Sequence, residues 1–327
     1  MKKIDFVIAW VDGSDPNHQA KRAKFLGEIP SSDATRSTRF ASDDEIYFSI
    51  ASILKYVPYC GKIYIVTDQQ SPRFIAEFEE QGLCSTDQIS VVDHQVIFKG
   101  LEHYLPTFNS LSIETVLWRI PNISDHFIYL NDDFFLNAPS KLTDFIENDQ
   151  HKIYGSLKSN SLIKAKYNLR VGLKKYFNKP MQPKYTFAQM LSAELIGLDQ
   201  YYEIHHRPHI LSRELFKAYF EQHQYVLKKQ IAHRFRSADQ FLPVGLNNHL
   251  GMLENKVILA PDLDIAYLKN SEGIAHFLLQ IQNDQIKFGC IQSLDEFEHI
   301  ASQKVKDAMI NKFKDFLPQS IKVQSTE

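Results

Sequence analysis

Long apolar runs are missing from this sequence of 327 residues. Stretches such as Ile63 to Val66 and Phe127 to Leu130 are the size of single strands and fall well short of the roughly 20 residues that span a bilayer. A transmembrane helix is therefore excluded, and Asp5 and Asp12 interrupt any apolar segment that a signal peptide would need. A cytoplasmic location is expected. Cysteine is scarce: Cys60, Cys84 and Cys290 are an odd number at wide spacing with no CxxC pair, which argues against a disulfide framework or a thiolate zinc cluster. They read as reduced thiols. Charge of one sign is also lacking, since the formal net charge is −2, so the molecule as a whole has no bias toward nucleic acid or membrane. Neither a repeat nor a low-complexity tract is visible.

What is present fits a folded α/β protein. Apolar residues make up 44% and charged residues 23%, close to the globular average, and the length suits one large domain or a core carrying an insertion. Residues 4 to 10 (IDFVIAW) form a β-branched and aromatic run that stops at the turn Asp12-Gly13. Asp15-Pro16 is an N-cap followed by proline at the first helical position, opening a helix to about Leu26. After a polar loop over 27 to 41, Ser42-Asp-Asp-Glu45 has the form of a capping box, and Ile46, Ile50, Ile53, Leu54 and Val57 continue at helical spacing to Pro58. Lys62 to Thr67 is a second strand. A short helix over 73 to 81, a strand at Ile89 to Val92, a helix from Asn109 through Ile113, Val116, Leu117 and Ile120, and a strand at His126 to Leu130 follow. Such alternation predicts a twisted, largely parallel sheet flanked by helices, with ligands bound outside the carboxyl ends of its strands.

The rest of the chain reads differently. Between Asp149 and Glu194 there are nine Lys or Arg residues and no carboxylate, and scattered Pro, Gly, Ser and Asn predict weak regular structure. Three parts are expected: an α/β core over 1–149, a basic insertion or flap over 150–193, and a helical remainder over 194–327 that completes one catalytic domain. Ser212 is an expected N-cap, another helix is expected near Ser237, and Phe297, Ile300, Val305, Met309, Phe313 and Phe316 suit a docked terminal helix.

Four clusters could carry chemistry. Asp132-Asp133 ends an apolar strand, and their hard oxygens suit Mg²⁺ or Mn²⁺. Successive strand side chains point to opposite faces, so both can reach one ion only where the strand has already turned; the same residues also suit a plain turn. Asp12, Gly13 and Asp15 admit two readings, turn and cap, or close approach to a phosphate at a helix N-terminus. Ile204 to Arg213 (IHHRPHILSR) holds three histidines and two arginines; the spacing matches no common zinc set, whereas imidazole for proton transfer and guanidinium for phosphate fit it. His233, Arg234, Arg236 and Asp239 form a fourth knot, suited to phosphate or to a capped, charged helix start.

Four blocks in this order, IDFVIAWVDGSDP at 4 to 16, the stretch from Arg39-Phe40 through KIYIVTD, LPTFNS and HFIYLNDDFFL, then HRPHILSR at 206 to 213 and HRFRSAD at 233 to 239, resemble the Stealth-type sugar-phosphate transferases. These are bacterial capsular and exopolysaccharide phosphotransferases related to the catalytic subunit of the animal N-acetylglucosamine-1-phosphotransferase. The resemblance implies a fold similar to GT-A (Rossmann-like) glycosyltransferases, a divalent cation, Mg²⁺ or Mn²⁺, and a UDP-sugar donor. Carried over position by position, it implies metal binding at Asp132 and Asp133. It implies catalytic roles for His206, Arg236 and Asp133, and donor or phosphate contacts at Asp12, Gly13, Asp15, Arg39, Asp44, Asn109, Arg213 and His233. One departure is Gln240, where the family often places an acidic residue at or just after Asp239.

The expected reaction follows. An acceptor hydroxyl on a surface polysaccharide attacks the phosphorus joined to the sugar, UMP departs, and a phosphodiester remains. No nucleic-acid partner is implied. Exposed lysines, Lys174 and Lys175 among them, suit an anionic acceptor, although a solvated loop, or contact with the inner membrane face or the capsule machinery, accounts for them equally. A conventional UDP-sugar glycosyltransferase that releases UDP, and a non-catalytic polysaccharide-binding module, stay open at this stage.

Overall fold

All but the last residue of IDFVIA are buried, and this strand, β1 (Ile4–Ala9), lies in the middle of the main sheet. The computed structural model describes residues 3–25, 44–177 and 181–323. In it β1 pairs in parallel with β2 (Cys60–Thr67), and β2 in parallel with β3 (Ile89–Asp93). On its other side β1 pairs in parallel with β4 (His126–Asn131). A strand covered on both faces needs an unbroken apolar run rather than alternation, which is what Phe6, Val7 and Ile8 supply. The largely parallel α/β architecture agrees with the sequence pattern.

A fifth strand, β5 (His209–Ser212), runs antiparallel along β4, giving the order β5-β4-β1-β2-β3. The sequence predicts a helical remainder here and is corrected. Short strands also occur at Gln200–Glu203, Val257–Ala260, Ile265–Leu268 and Phe288–Ile291, each too brief to imprint a period of two against the helices around it.

Helix α1 (Pro16–Ala23) starts as expected, with the Asp15 carboxylate accepting from the Asn17 amide at 2.7 Å and Pro16 in its first turn. Helix α2 (Glu45–Tyr56) is preceded by Asp44 in the left-handed region at φ 71° with no side-chain cap bond. The expected capping residue, Ser42, lies outside the described residues, and Glu45 is the first helical residue rather than the reciprocal partner in a box. The helix expected from Asn109 to Ile120 breaks into Ser110–Glu114 and a single 3₁₀ turn at Leu117–Arg119. Between them the Thr115 hydroxyl and the Trp118 indole N–H take the Leu111 and Thr115 carbonyls, competing with the helical ladder. The helix expected over 73–81 contracts to Glu77–Glu80.

The basic segment is regular, contrary to expectation. It contains strands Gln150–Tyr154 and Ser156–Ser159, helix α3 (Asn160–Phe177) and helix α4 (Tyr185–Glu194). Carboxylates at its far end and beyond it supply part of the charge balance: Lys164 meets Glu194 at 2.8 Å and Lys158 meets Glu203 at 3.8 Å. The helix expected near Ser237 begins later, at Pro243, as α5 (Pro243–Leu253), because the buried Gln240 side chain holds the preceding loop through the Ser237 amide and the Gln230 carbonyl. Helix α6 (His299–Phe313) docks through Val305, Met309 and Phe313, all fully buried, with Phe313 edge-on to Tyr56 of α2. One apolar core runs from Ile4 to Ile321, so the C-terminal part shares its interior with the sheet.

Candidate active site

A cavity of about 420 Å³ opens at the carboxyl ends of β1, β2 and β4, the place where parallel sheets present ligand sites. Ala9, Trp10 and Val11 line it from the end of β1, Val66 and Asp68 from β2, and Asn131, Asp132 and Asp133 from β4. The chain has already turned at Asp132 and Asp133 before it resumes as the strand Phe134–Leu136. Both carboxylates are thereby released from strict strand alternation. That turn is fixed by the antiparallel pairing of Phe134–Leu136 with Phe288–Cys290 and by the Ile291 amide donating to the Asp133 carbonyl at 2.9 Å.

The opposite wall comes from segments distant in sequence. His209 pairs with Tyr129 and Ile210 with Ile128; continuing this antiparallel register past the N-terminus of β5 brings His206 level with Asp132. The His206 ring lies nearly parallel to Tyr185 and Tyr267, with centroids 5.4 and 6.3 Å away and interplanar angles of 20° and 10°, and makes a T-shaped contact with Phe134. Next to it, Arg207 is fully buried, ion-paired with Asp262 and facing the Tyr154 ring, which fixes the backbone between His206 and His209.

Arg236 reaches the cavity from a loop that is fastened to the segment 107–112. The Phe108 amide donates to the Arg234 carbonyl, the Asn109 side-chain amide donates to the His233 carbonyl and to Gln240, and Arg236 itself donates to the Ser110 hydroxyl at 2.6 Å. Phe108 stacks on Phe235 with centroids 5.2 Å apart. A second cavity of about 250 Å³ shares Asn131, His206, Arg236 and Gln292 with the first, and its further lining includes Glu114, Tyr129, Tyr185, His209 and residues between 237 and 244. His206 and Arg236 therefore stand on the boundary of two adjoining spaces.

The electrostatics of the carboxylate wall fit a divalent cation. Burial, then the neighbouring charges of Asp133 and Glu45, push the Asp132 carboxyl well above its ordinary range, and burial lifts Asp133 to about 6. One oxygen of Asp133, Oδ1, is buried with no hydrogen-bond partner, while the Cys290 thiol donates to the other at 3.5 Å. Two buried neighbouring carboxylates, one with an unpartnered oxygen, are the hard donors that Mg²⁺ or Mn²⁺ takes, although among the described residues no group of three or more His, Cys, Asp or Glu side chains is placed to hold an ion. On the facing wall, burial together with the positive charge of Arg236 and His205 lowers the His206 imidazole below its ordinary value, which leaves a neutral ring able to accept a proton.

Of the residues singled out in the sequence, Asp132, Asp133, His206, Arg236 and Asn109 line the first cavity. Asp12, Gly13 and Asp15 do not: the Asp12 carboxylate accepts from the Ser14 amide and hydroxyl, and Asp15 caps α1 and accepts from Gln70. Asp44 sits at the start of α2, 3.8 Å from Lys306, and it is the adjacent Glu45 that faces the cavity. Arg213 begins the helix Arg213–Gln222 with its Nε donating to the Trp118 carbonyl, and His233 approaches Asp239 at 3.9 Å; neither lines the two cavities described. Arg39 lies outside the described residues. Lys174 and Lys175 are exposed on α3.

Several lining residues escaped the sequence: Glu45, Glu114, Tyr185, Tyr267 and Gln292. Glu114 is buried against Arg236, Ser110 and Tyr129, and burial lifts its carboxyl to about 7. Its position one helical turn after Ser110 puts both side chains beside Arg236. Gln240 ties Asn109 and Ser112 to the loop.

Two family descriptions match the chain: Stealth protein CR1, conserved region 1, over residues 2–29, and Stealth protein CR2, conserved region 2, over residues 39–154. Asp132 and Asp133 fall inside the second, whereas His206 and Arg236 lie beyond both. The chain is 32% identical over 257 residues to the receptor polysaccharide phosphotransferase WefC of Streptococcus oralis, covering 72% of this chain and 74% of that protein. To the capsular polysaccharide phosphotransferase cps1A of Actinobacillus pleuropneumoniae it is 37% identical over 190 residues, 54% of this chain and 50% of the other. With the capsular polysaccharide phosphotransferase fcs1 of Haemophilus influenzae it shares 29% identity over 270 residues, 80% of this chain and 68% of that one. Against several such relatives, cps1A included, the matched region spans about half of their length.

Proposed function

Because the chain belongs to the Stealth family, we propose that it transfers a sugar-1-phosphate from a UDP-sugar to a hydroxyl of a surface polysaccharide, in the cytoplasm. The observation that carries this reading is the convergence of Asp132, Asp133, His206 and Arg236 on one cavity from three separate stretches of chain. Its relatives' names, phosphotransferases of capsular and receptor polysaccharides, support the substrate class.

The donor diphosphate would lie in the larger cavity and the acceptor hydroxyl would enter from the smaller one, meeting at His206 and Arg236. His206 takes the proton of the hydroxyl as its oxygen bonds to the phosphorus. The bond between that phosphorus and the bridging oxygen breaks, and UMP leaves with the electron pair. Sugar C1 keeps its oxygen, so anomeric configuration is retained with no glycosyl intermediate. Arg236 offsets charge on the phosphoryl oxygens, and its bond to Ser110 orients the guanidinium beforehand. A divalent cation held by Asp132 and Asp133 would supply further neutralisation of the diphosphate.

Incubation with Mg²⁺, a capsular oligosaccharide and a panel of UDP-sugars tests the reading directly. Release of UMP together with a phosphodiester signal in the product is the expected outcome. Release of UDP would instead make the protein a conventional glycosyltransferase, and absence of both nucleotides would favour a binding module.

A further inference from the structure

Helix α3 has its partly buried apolar residues only along its first half; farther on, Arg170 lies over the Phe187 ring and Lys174 is near Asp239 and His233. Ile163 and Tyr167 pack on α4 and its surroundings, but every residue from Asn168 to Phe177 is exposed. Large apolar side chains are nonetheless frequent there: Leu162 is 75% exposed, Leu169 65%, Leu173 45%, Tyr176 83% and Phe177 57%. At 3.6 residues per turn these five fall within an arc of roughly 100°, turned away from Ile163 and Tyr167 and running about 22 Å along the helix. Their alignment makes a continuous stripe, not the scattered apolar residues that any surface carries.

Charge accompanies the stripe. Lys166 stands within it and Arg170 at its margin, where its guanidinium lies over the Phe187 ring, whereas Lys174 lies on the side of Ile163 and Tyr167 near Asp239; the segment from 150 to 193 contains no carboxylate. Among the described residues Lys166 and Lys175 make no ion pair. We propose that α3 is an interfacial helix that docks on an anionic lipid surface, with Leu162, Leu169, Leu173, Tyr176 and Phe177 entering the headgroup boundary and the cations meeting lipid phosphates. This is the composition by which a helix lies in a membrane plane without crossing it. A second copy of the chain is a poorer occupant, because pairing two stripes buries Lys166 and brings Arg170 near the same cations of the copy, with no carboxylate on α3 to offset them. An acidic glycan would satisfy the cations but leave the leucines in water.

Docking has a geometric consequence for the site. Helix α3 packs on α4, whose first residue, Tyr185, stacks on His206. The proposed lipid-facing helix is thus one element removed from the boundary of the two cavities. Lipid binding rests on no step of the transfer reaction, so it can fail or hold independently of that reading.

The test is flotation of the full chain with vesicles of phosphatidylcholine alone and with vesicles that also contain phosphatidylglycerol. Salt-sensitive flotation with the second kind only is expected. The variant Leu169→Ser/Leu173→Ser/Phe177→Ser should bind these vesicles on the order of tenfold more weakly or worse while unfolding at the same temperature. No flotation of the parent chain, or equal flotation of the variant, would overturn the proposal. So would a dimer in sedimentation that the triple variant splits without any vesicle binding by the parent.

Discussion

The imidazole of His206 lies nearly parallel to the ring of Tyr185, 5.4 Å away, and to that of Tyr267, 6.3 Å away. The two nearly parallel rings restrict how the imidazole can rotate, while it stays half-buried at the edge of both cavities. Replacing His206 with alanine should lower kcat by about 10² to 10⁴, the range for a lost general base. Donor affinity, measured by calorimetry, should change little. Tyr185→Leu should lower kcat by a smaller factor, because the base is retained but no longer held.

The acid limb of the rate profile should report the same group. Burial and the charges of Arg236 and His205 lower His206 below the ordinary 6.5, so the ring stays unprotonated as pH falls to that value and gains its proton only at lower pH. The logarithm of kcat/KM should therefore stay level down to about pH 6.5 and decline beneath it. An acid limb centred above that value would remove His206 as the base.

Asp133→Asn should weaken Mg²⁺ or Mn²⁺ binding by roughly 100-fold or more, since even supporting contacts around a metal are worth about 10 to 100-fold. Titration calorimetry without substrate gives the number. Equal affinity in the variant would place the cation elsewhere.

Glu114 offers a stability test with a defined sign. Its carboxyl titrates at about 7 when folded against an ordinary 4.5, so the folded chain keeps a proton that the unfolded chain releases, and stability declines as pH rises through that window. Glu114→Gln removes this penalty. Urea unfolding should show a gain of up to about 3 kcal/mol at pH 8 relative to the difference seen at pH 4.5. The same substitution deprives Arg236 of a nearby anion and should raise the KM for donor.

Acid should unfold the protein for the opposite reason. His249 accepts the Tyr202 amide proton at 2.8 Å, and burial holds both it and His94 down to about 4. Their folded values are below the unfolded 6.5, so stability present above that pH is lost as pH falls toward 4. The urea midpoint should drop steeply over that interval, and His249→Gln should flatten the slope.

Much of the first 140 residues was legible because strands covered on both sides and helices with one buried stripe leave strong local patterns: Phe6 to Ile8, Ile63 to Val66 and Ile46 to Val57 all lie where their periodicity places them. The acidic pair was legible from its place after an apolar strand. Beyond residue 150 local pattern misled. Lysines read as a loose flap are partly balanced by Glu194 and Glu203, and β5 spans too few residues to show alternation. Glu114 and Tyr185 were invisible as site residues because a carboxylate or phenol on a helix acquires its meaning only from the loop that folds over it. Asp12 and Asp15 show the converse, since turn and cap already account for both.

The antiparallel seam between β4 and β5 also bears on how the protein is made. During synthesis β4 emerges about 80 residues ahead of its neighbour, on the order of ten seconds at ordinary ribosomal speed. Throughout that delay the nascent chain carries an unpaired apolar edge, the kind of surface that recruits other strands. Slowing translation between the two, or depleting chaperones that shield such edges, should lower the yield of folded protein with no change in the sequence.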